Sequence, residues 1–219
     1  MQGGQAGADR APGLRLAELL ATRLVHDLSG PTSGLCAALA EPQADAEALE
    51  IAREAATTLR RRLALYRAAW GAPAPLDAGG LREMAAALPN AHRLRIVFAG
   101  PVEAAALAPP AARLLLNLLL LAAESLPRGG TVTLEGDPAQ DMVLAIDGAR
   151  AGWPEGFAAM LTDAACAWAA LPDAPRGPRL QAALTALLAH QSGGRLRLLL
   201  AGDAEAAAPV LVELPACSA

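Results

Sequence analysis

Apolar residues recur at helical spacing through the first third of the chain. One such stretch starts at Leu14 and is broken by Glu41-Pro42-Gln43. A second stretch follows Asp45, which is a good helix cap, and runs to Trp70. We therefore predict a helical hairpin over residues 14–71.

After the hairpin, short β-like runs alternate with helical stretches. Strands are predicted at Leu94–Phe98, Thr131–Leu134, Met142–Ile146, Leu196–Leu200 and Val210–Leu214. Helices are predicted at about 78–88, 109–126, 155–170 and 178–191. This order indicates an α/β domain over residues 77–219, with helices on one face of a mixed sheet. A linker at 72–76 joins it to the hairpin, and the small polar residues 1–13 are predicted to form a disordered arm.

The hairpin by itself encloses too little core to be stable. In its second helix, seven residues recur at alternating spacings of three and four, as in a bundle seam: Leu49, Ala52, Ala56, Leu59, Leu63, Tyr66 and Trp70. The first helix carries an apolar stripe from Leu16 to Leu35. Pairing of two chains into a dimeric four-helix bundle buries these surfaces. We favour this homodimer over the alternative, in which the hairpin docks on its own C-terminal domain.

The composition excludes several functions. The formal net charge is −4, which argues against non-specific nucleic-acid binding. All 18 strongly basic residues are arginine, and without lysine there is no Schiff-base chemistry and no Walker A lysine. The three cysteines are too few and too scattered for a disulfide framework or a zinc site. No apolar run is long enough to span a membrane, and we expect a cytoplasmic protein.

One histidine stands apart from the apolar pattern. At about 100° per residue, His26 projects away from the stripe of the first helix, among the small polar residues Thr22, Ser29 and Ser33. An ordinary surface histidine is the simpler interpretation of this spacing alone. However, Pro31 follows shortly after, and proline costs about 3 kcal/mol in a helix interior. We expect the helix to be interrupted there, which indicates a site at the exposed histidine.

The residues around this histidine resemble a known motif. Leu24-Val25-His26-Asp27-Leu28-Ser29-Gly30-Pro31 is similar to the phosphoacceptor box of dimeric histidine kinases, and above all to that of ChpT-type histidine phosphotransferases. The stretch from Arg113 to Thr133 resembles the degenerate, Bergerat-like kinase ATPase domain of the same family. The resemblance covers most of residues 14–214. It implies a fold of class α + α/β, in which a dimerising hairpin precedes an ATPase-like α/β sandwich.

The nucleotide-binding motifs of the kinases are only partly present. Asn117 matches their asparagine-containing helix, but we interpret it as a helix residue in polar surroundings. The segment Asp147–Gly152 has Arg150 and Ala151 where the kinase loop needs small, flexible backbone. The lid equivalent, Arg176–Leu180, has one glycine followed by proline, which removes an N–H that a phosphate needs. We therefore expect no ATP-dependent kinase activity, no cofactor of its own and no metal site.

The resemblance implies a function in a bacterial two-component phosphorelay. His26 would be the phosphoacceptor that shuttles a phosphoryl group between receiver-domain aspartates, and Asp27 would orient the imidazole or take its proton. The expected partners are a second copy of the chain and the receiver domains of response regulators, including that of a hybrid histidine kinase, with Mg²⁺ held by the receiver. Residues expected to meet the receiver are Thr22, Arg23, Leu28, Ser29, Gly30 and Ser33.

Two other functions fit the same sequence. One is a non-catalytic dimeric adaptor or scaffold that keeps the fold. The other is a divergent histidine kinase with an unusual nucleotide loop. Transfer of label from a phosphorylated receiver to His26 distinguishes the adaptor from the phosphotransferase, and ATP binding with autophosphorylation identifies the kinase.

Overall fold

Within residues 12–40, 46–174, 177–202 and 206–215, which are those that the structure describes, the chain forms seven α-helices and five β-strands. The structure is a computed structural model. The helices are α1 (Pro12–Leu39), α2 (Ala46–Trp70), α3 (Ala78–Ala86), α4 (Pro109–Glu124), α5 (Phe157–Thr162), α6 (Ala164–Ala169) and α7 (Pro178–Ser192). The strands are β1 (Leu94–Ala99), β2 (Gly130–Gly136), β3 (Met142–Asp147), β4 (Arg195–Leu198) and β5 (Val210–Glu213).

The strands make one mixed sheet in the order β1-β2-β3-β5-β4. Strand β1 runs parallel to β2, and the other neighbours are antiparallel. Alternate residues of the central strands, such as Val132, Leu134 and Leu144, are fully buried, as expected for a sheet with one covered face. All five predicted strands and the α+β fold are confirmed. Strand β4 ends two residues earlier than predicted, and Leu200 beyond it is 96% exposed.

The predicted helix at 155–170 is two helices, α5 and α6. Asp163 between them has extended backbone, with φ −139° and ψ 124°. Its carboxylate accepts a hydrogen bond from the backbone N–H of Ala165 at 2.8 Å and so caps α6. The aspartate satisfies a free helix donor locally, and the chain can therefore turn without burying an unpaired N–H.

The start of the hairpin differs slightly from the prediction. Helix α1 begins at Pro12, so Pro12 and Gly13 of the predicted arm are helical. Proline suits the first turn of a helix, because its missing N–H has no partner there. Residues 1–11 of the arm and the predicted cap Asp45 lie outside the described residues.

Helix α1 also continues through Pro31, where we expected an interruption. Proline cannot donate to the carbonyl four residues before it, which here is the carbonyl of Asp27. The guanidinium of Arg62 on α2 fills that role, with Nη1 donating to the Asp27 carbonyl oxygen at 2.8 Å. Because the neighbouring helix replaces the missing donor, the proline does not end α1.

The hairpin packs on its own C-terminal domain. Leu19 of α1 and Leu65, Tyr66 and Ala69 of α2 belong to one continuous core with the buried helix α4 and the sheet. For this face of the hairpin, the structure therefore shows the alternative to the homodimer, in which the hairpin docks on the C-terminal domain of its own chain. No helix in the described ranges is long and apolar enough to cross a membrane.

Docking leaves part of the predicted bundle seam uncovered. Leu49, Ala56 and Leu63 lie seven residues apart on α2 and so share one side of it. Leu49 and Leu63 are each nearly half exposed, and Ala56 is exposed as well. The other end of the seam, Tyr66 and Trp70, packs against the C-terminal domain instead.

Candidate functional site

His26 lies on the open side of α1. Its side chain is 64% exposed. Thr22, Ser29 and Ser33 around it are exposed as well. The hydroxyls of Thr22 and Ser29 donate to carbonyls of their own helix, at 2.8 and 2.6 Å, and do not hold the ring. Of the other predicted docking residues, Gly30 is exposed and Leu28 is half-buried. The histidine thus stands on a surface of small side chains that a partner can approach.

Asp27 contacts the histidine directly. The distance between His26 Nδ1 and Asp27 Oδ1 is 3.2 Å. A carboxylate beside Nδ1 favours the tautomer with the proton on that nitrogen, which leaves the lone pair on Nε2. Among the described residues, no group hydrogen-bonds to Nε2. In this tautomer Nε2 has the lone pair that a nucleophile needs, and the side chain that carries it is mostly exposed.

Asp27 is itself held in place from the second helix. Its Oδ2 accepts a hydrogen bond from the Tyr66 hydroxyl at 2.7 Å and lies 3.5 Å from Arg23 Nε. Its side chain is only 21% exposed. Burial raises the pKa of the Tyr66 hydroxyl well above its usual value, and the hydrogen bond to Asp27 raises it further. Tyr66 therefore stays a neutral donor.

Arg23 corrects one of our predictions, because it is not on the docking surface. Its side chain is buried. It forms a short ion pair with Glu124 at the end of α4, and Nη1 donates to Gln181 Oε1 on α7 at 3.2 Å. The guanidinium also lies 5.3 Å from the ring centre of Trp70. All of these groups are inside the protein, so Arg23 joins the hairpin to the C-terminal domain instead of meeting a partner.

Glu124 is the buried acid of this cluster. Burial raises its pKa to about 7 even though Arg23 opposes the shift, and Asp27 adds to the increase. Its Oε2 is buried and has no hydrogen-bond partner among the described residues. Desolvation is thus the main cause of the raised pKa, and the negative charge of Asp27 on the other side of the Arg23 guanidinium makes a smaller contribution.

Asn117 is fully buried in a polar network. Its Nδ2 donates to the carbonyls of Ala69 and Arg113, both at 2.8 Å. Its Oδ1 accepts from Trp70 Nε1 at 3.1 Å and from Gln181 Nε2 at 2.9 Å. The polar surroundings predicted for this residue are present, and its amide is fully used in joining α2, α4 and α7.

The segment at 147–152 packs closely against the turn at Gly129. A Cβ on Gly148 would lie 2.5 Å from the Gly129 carbonyl oxygen, so glycine is required where these two turns meet. Arg150 has φ 66°, an unusual left-handed conformation for a non-glycine residue.

In the predicted lid, Arg176 lies outside the described residues and Pro178 begins α7. The described residues contain no group of three His, Cys, Asp or Glu side chains that could hold a metal ion.

Comparison with known families identifies the chain. The family model for the histidine phosphotransferase C-terminal domain matches residues 79–204, more than half of the sequence. This chain belongs to the histidine phosphotransferase family. The match covers the domain that holds Glu124, Asn117 and Gln181, and a general phosphotransfer role follows from it. No curated protein matches the sequence significantly.

The chain is also similar to solved structures. A structure described as a bacterial phosphotransferase is 23% identical, with a TM-score of 0.68, and the match covers 93% of this chain and 97% of that one. A mycobacterial sensor histidine kinase is 20% identical with a TM-score of 0.43, over 65% of this chain and 97% of that one. A histidine kinase domain from Erythrobacter litoralis is 16% identical with a TM-score of 0.42, over 85% and 95%. Of these three, the bacterial phosphotransferase is the one whose TM-score supports a shared overall fold.

Sequence reasoning missed the residues that support Asp27. The sequence pattern places Tyr66 only in the bundle seam and gives Arg62 no particular role. Glu124 did offer a signal, because it is the only acidic residue of helix α4, whose other residues are apolar except for Arg113 and Asn117. A lone acid on a buried helix indicates a buried cationic partner.

Proposed function

We propose that this protein carries a phosphoryl group on His26 between receiver-domain aspartates of a phosphorelay. The observation that carries the proposal is the exposed imidazole whose Nδ1 lies 3.2 Å from Asp27, in a member of the histidine phosphotransferase family. In this arrangement Nε2 would be the nucleophile. Membership of the histidine phosphotransferase family supports phosphoryl transfer as the reaction.

The first step transfers the group to the protein. Nε2 of the neutral His26 ring attacks phosphorus of the aspartyl phosphate, the N–P bond forms, and the P–O bond to the receiver's carboxyl group breaks. The receiver's aspartate leaves as a carboxylate, and positive charge develops on the ring. Asp27 stabilises that charge through the Nδ1 proton. In the second step another receiver's aspartate attacks phosphorus, the N–P bond breaks, and the lone pair returns to Nε2.

The rest of the charge stabilisation belongs to the partner. A Mg²⁺ ion held by the receiver would neutralise the phosphoryl oxygens. This chain's contribution is to present the ring in a fixed position on an open surface. The receiver would dock on the surface around His26, which is formed by Thr22, Leu28, Ser29, Gly30 and Ser33. No ATP-dependent kinase activity is proposed, since the Asn117 amide is fully committed inside the protein.

A second copy of the chain is proposed to cover the exposed stripe of α2. Leu49, Ala56 and Leu63 repeat at the seven-residue spacing of a bundle interface. Sedimentation tests this directly, with Leu49→Glu/Leu63→Glu against Glu47→Gln/Glu50→Gln, which changes exposed α2 residues outside the stripe. We expect a dimer for wild type and the control and a monomer for the double glutamate variant. A wild-type monomer would remove the bundle from the proposal.

Incubation with a radiolabelled phospho-receiver tests the phosphotransfer itself. Label should appear on the wild type as an acid-labile, alkali-stable adduct and should be absent from His26→Ala. His92→Ala, which removes an exposed histidine far along the chain, is the matched control and should label normally. An unlabelled wild type would favour the adaptor, whereas labelling from ATP alone would identify a kinase.

A further inference from the structure

We propose that Tyr66 and Arg23 are positioning residues for the phosphoacceptor, and that the C-terminal domain anchors them through Glu124. They act through Asp27, whose carboxylate they orient so that its other oxygen holds His26. The inference rests on the proposed function for its consequence in phosphotransfer, but its geometry can be measured independently.

The need for positioning follows from helix geometry. Residues one apart on a helix do not face each other, so the contact between His26 and Asp27 requires a fixed rotamer of the carboxylate. Tyr66 supplies that restraint by donating to Oδ2 at 2.7 Å, which leaves Oδ1 for the histidine. The tyrosine is rigid, because it is buried and its ring stacks on Trp70 with centroids 4.3 Å apart.

Arg23 supplies the second restraint and connects it to the other domain. Its Nε lies 3.5 Å from Asp27 Oδ2, while its two other nitrogens bind Glu124 on α4 and Gln181 on α7. A planar guanidinium held at three points cannot follow a moving carboxylate. The orientation of Asp27 on α1 is therefore set by two helices of the C-terminal domain and by α2.

The first test reads the histidine ring without any partner. In ¹⁵N NMR spectra of the intact protein at a pH where the ring is neutral, wild-type His26 should carry its proton mainly on Nδ1. Tyr66→Phe removes only the hydroxyl, and the tautomer ratio should shift toward that of a free histidine side chain. Thr162→Val is the control, because it removes an exposed hydroxyl that bonds only to its own helix. An unchanged ratio in Tyr66→Phe would overturn the inference.

The second test shows whether Tyr66 acts through Asp27. We expect Tyr66→Phe to slow transfer from a phospho-receiver about tenfold, with Thr162→Val unchanged. In an Asp27→Asn background the same substitution should slow transfer no further. Additive losses would mean that Tyr66 acts elsewhere, and would overturn the inference.

Arg23→Lys keeps the inference testable if Tyr66→Phe does not fold. It retains the charge but loses the fork of donors, so the same tautomer shift and a smaller loss of rate are expected. These experiments distinguish a failure of the proposed phosphotransfer from a failure of the proposed positioning role. A wild type that takes no label contradicts the phosphotransfer, while the tautomer ratio still decides the positioning. A wild type that labels, with variants unchanged in ratio and rate, contradicts the positioning alone.

Discussion

The two sides of α2 show how differently one apolar pattern can be used. On one side, Leu65 and Ala69 are completely buried in the core shared with the C-terminal domain. On the other, Leu49, Ala56 and Leu63 stay exposed. One helix thus carries a face that is completed within the chain and an apolar face that the chain itself leaves exposed. The phosphoacceptor candidate stands on the neighbouring helix, tied to the first of these faces through Asp27 and Tyr66.

The largest expected difference between the two sides comes from truncating matched leucines. Leu65→Ala should lower the free energy of unfolding by about 2–5 kcal/mol, because it leaves a cavity in a packed core. Leu63→Ala, two residues away, should cost less than about 1 kcal/mol, because its side chain is already 46% exposed. Urea denaturation, at dilutions where the protein sediments as a monomer, measures both. Equal losses would contradict the distinction.

Glu124, the buried acid at the end of α4, also predicts that the free energy of unfolding depends on pH. Folding raises the pKa of Glu124 from 4.5 to about 7, so between these values the folded protein binds a proton that the unfolded chain releases. The contribution of Glu124 to the free energy of unfolding should therefore be largest below pH 4.5 and fall as the pH rises to 7, by at most about 3 kcal/mol. Glu124→Gln should flatten this profile.

A matched control for this profile lies on the exposed part of α2. Glu50→Gln changes an acid whose side chain is 63% exposed, so the pH dependence should stay as in the wild type. Arg23 and Asp27 are charged groups that act on the Glu124 carboxyl, and both remain in either variant. Thermal unfolding at several pH values between 4 and 8 gives the comparison. A profile equally steep in Glu124→Gln would assign the titration to another group.

The smallest expected difference in stability is between substitutions of two tryptophans, Trp70 and Trp168. Trp70→Phe removes the donor to Asn117 Oδ1 and weakens the contact with the Arg23 guanidinium, at a cost of about 1 kcal/mol. Asn117 keeps its hydrogen bond from Gln181, which limits the loss. Trp168→Phe, on the exposed helix α6, should change stability by less than about 0.5 kcal/mol. Chemical denaturation of both variants measures the difference.

Much of the C-terminal domain was predictable because its signals are local. Each strand is a short β-like run bounded by turn residues, and this signal locates all five strands, although β4 ends two residues earlier than predicted. The split at Asp163 was missed, since an aspartate within a helical pattern does not show whether it faces solvent or caps a new helix. For the candidate site, the sequence placed His26 on the open side of α1. It also placed Arg23 there, whereas the structure buries it.

The amino-acid sequence by itself determined the helices, the strands and the side of α1 on which His26 stands, because periodicity depends only on neighbours along the chain. Only the tertiary structure decided what Arg23, Tyr66 and Arg62 do. Their partners Glu124, Asp27 and the Asp27 carbonyl are brought to them by packing between helices. A charged or phenolic side chain looks the same in the sequence whether it meets water or a buried partner, and the difference lies in desolvation, which exists only after folding.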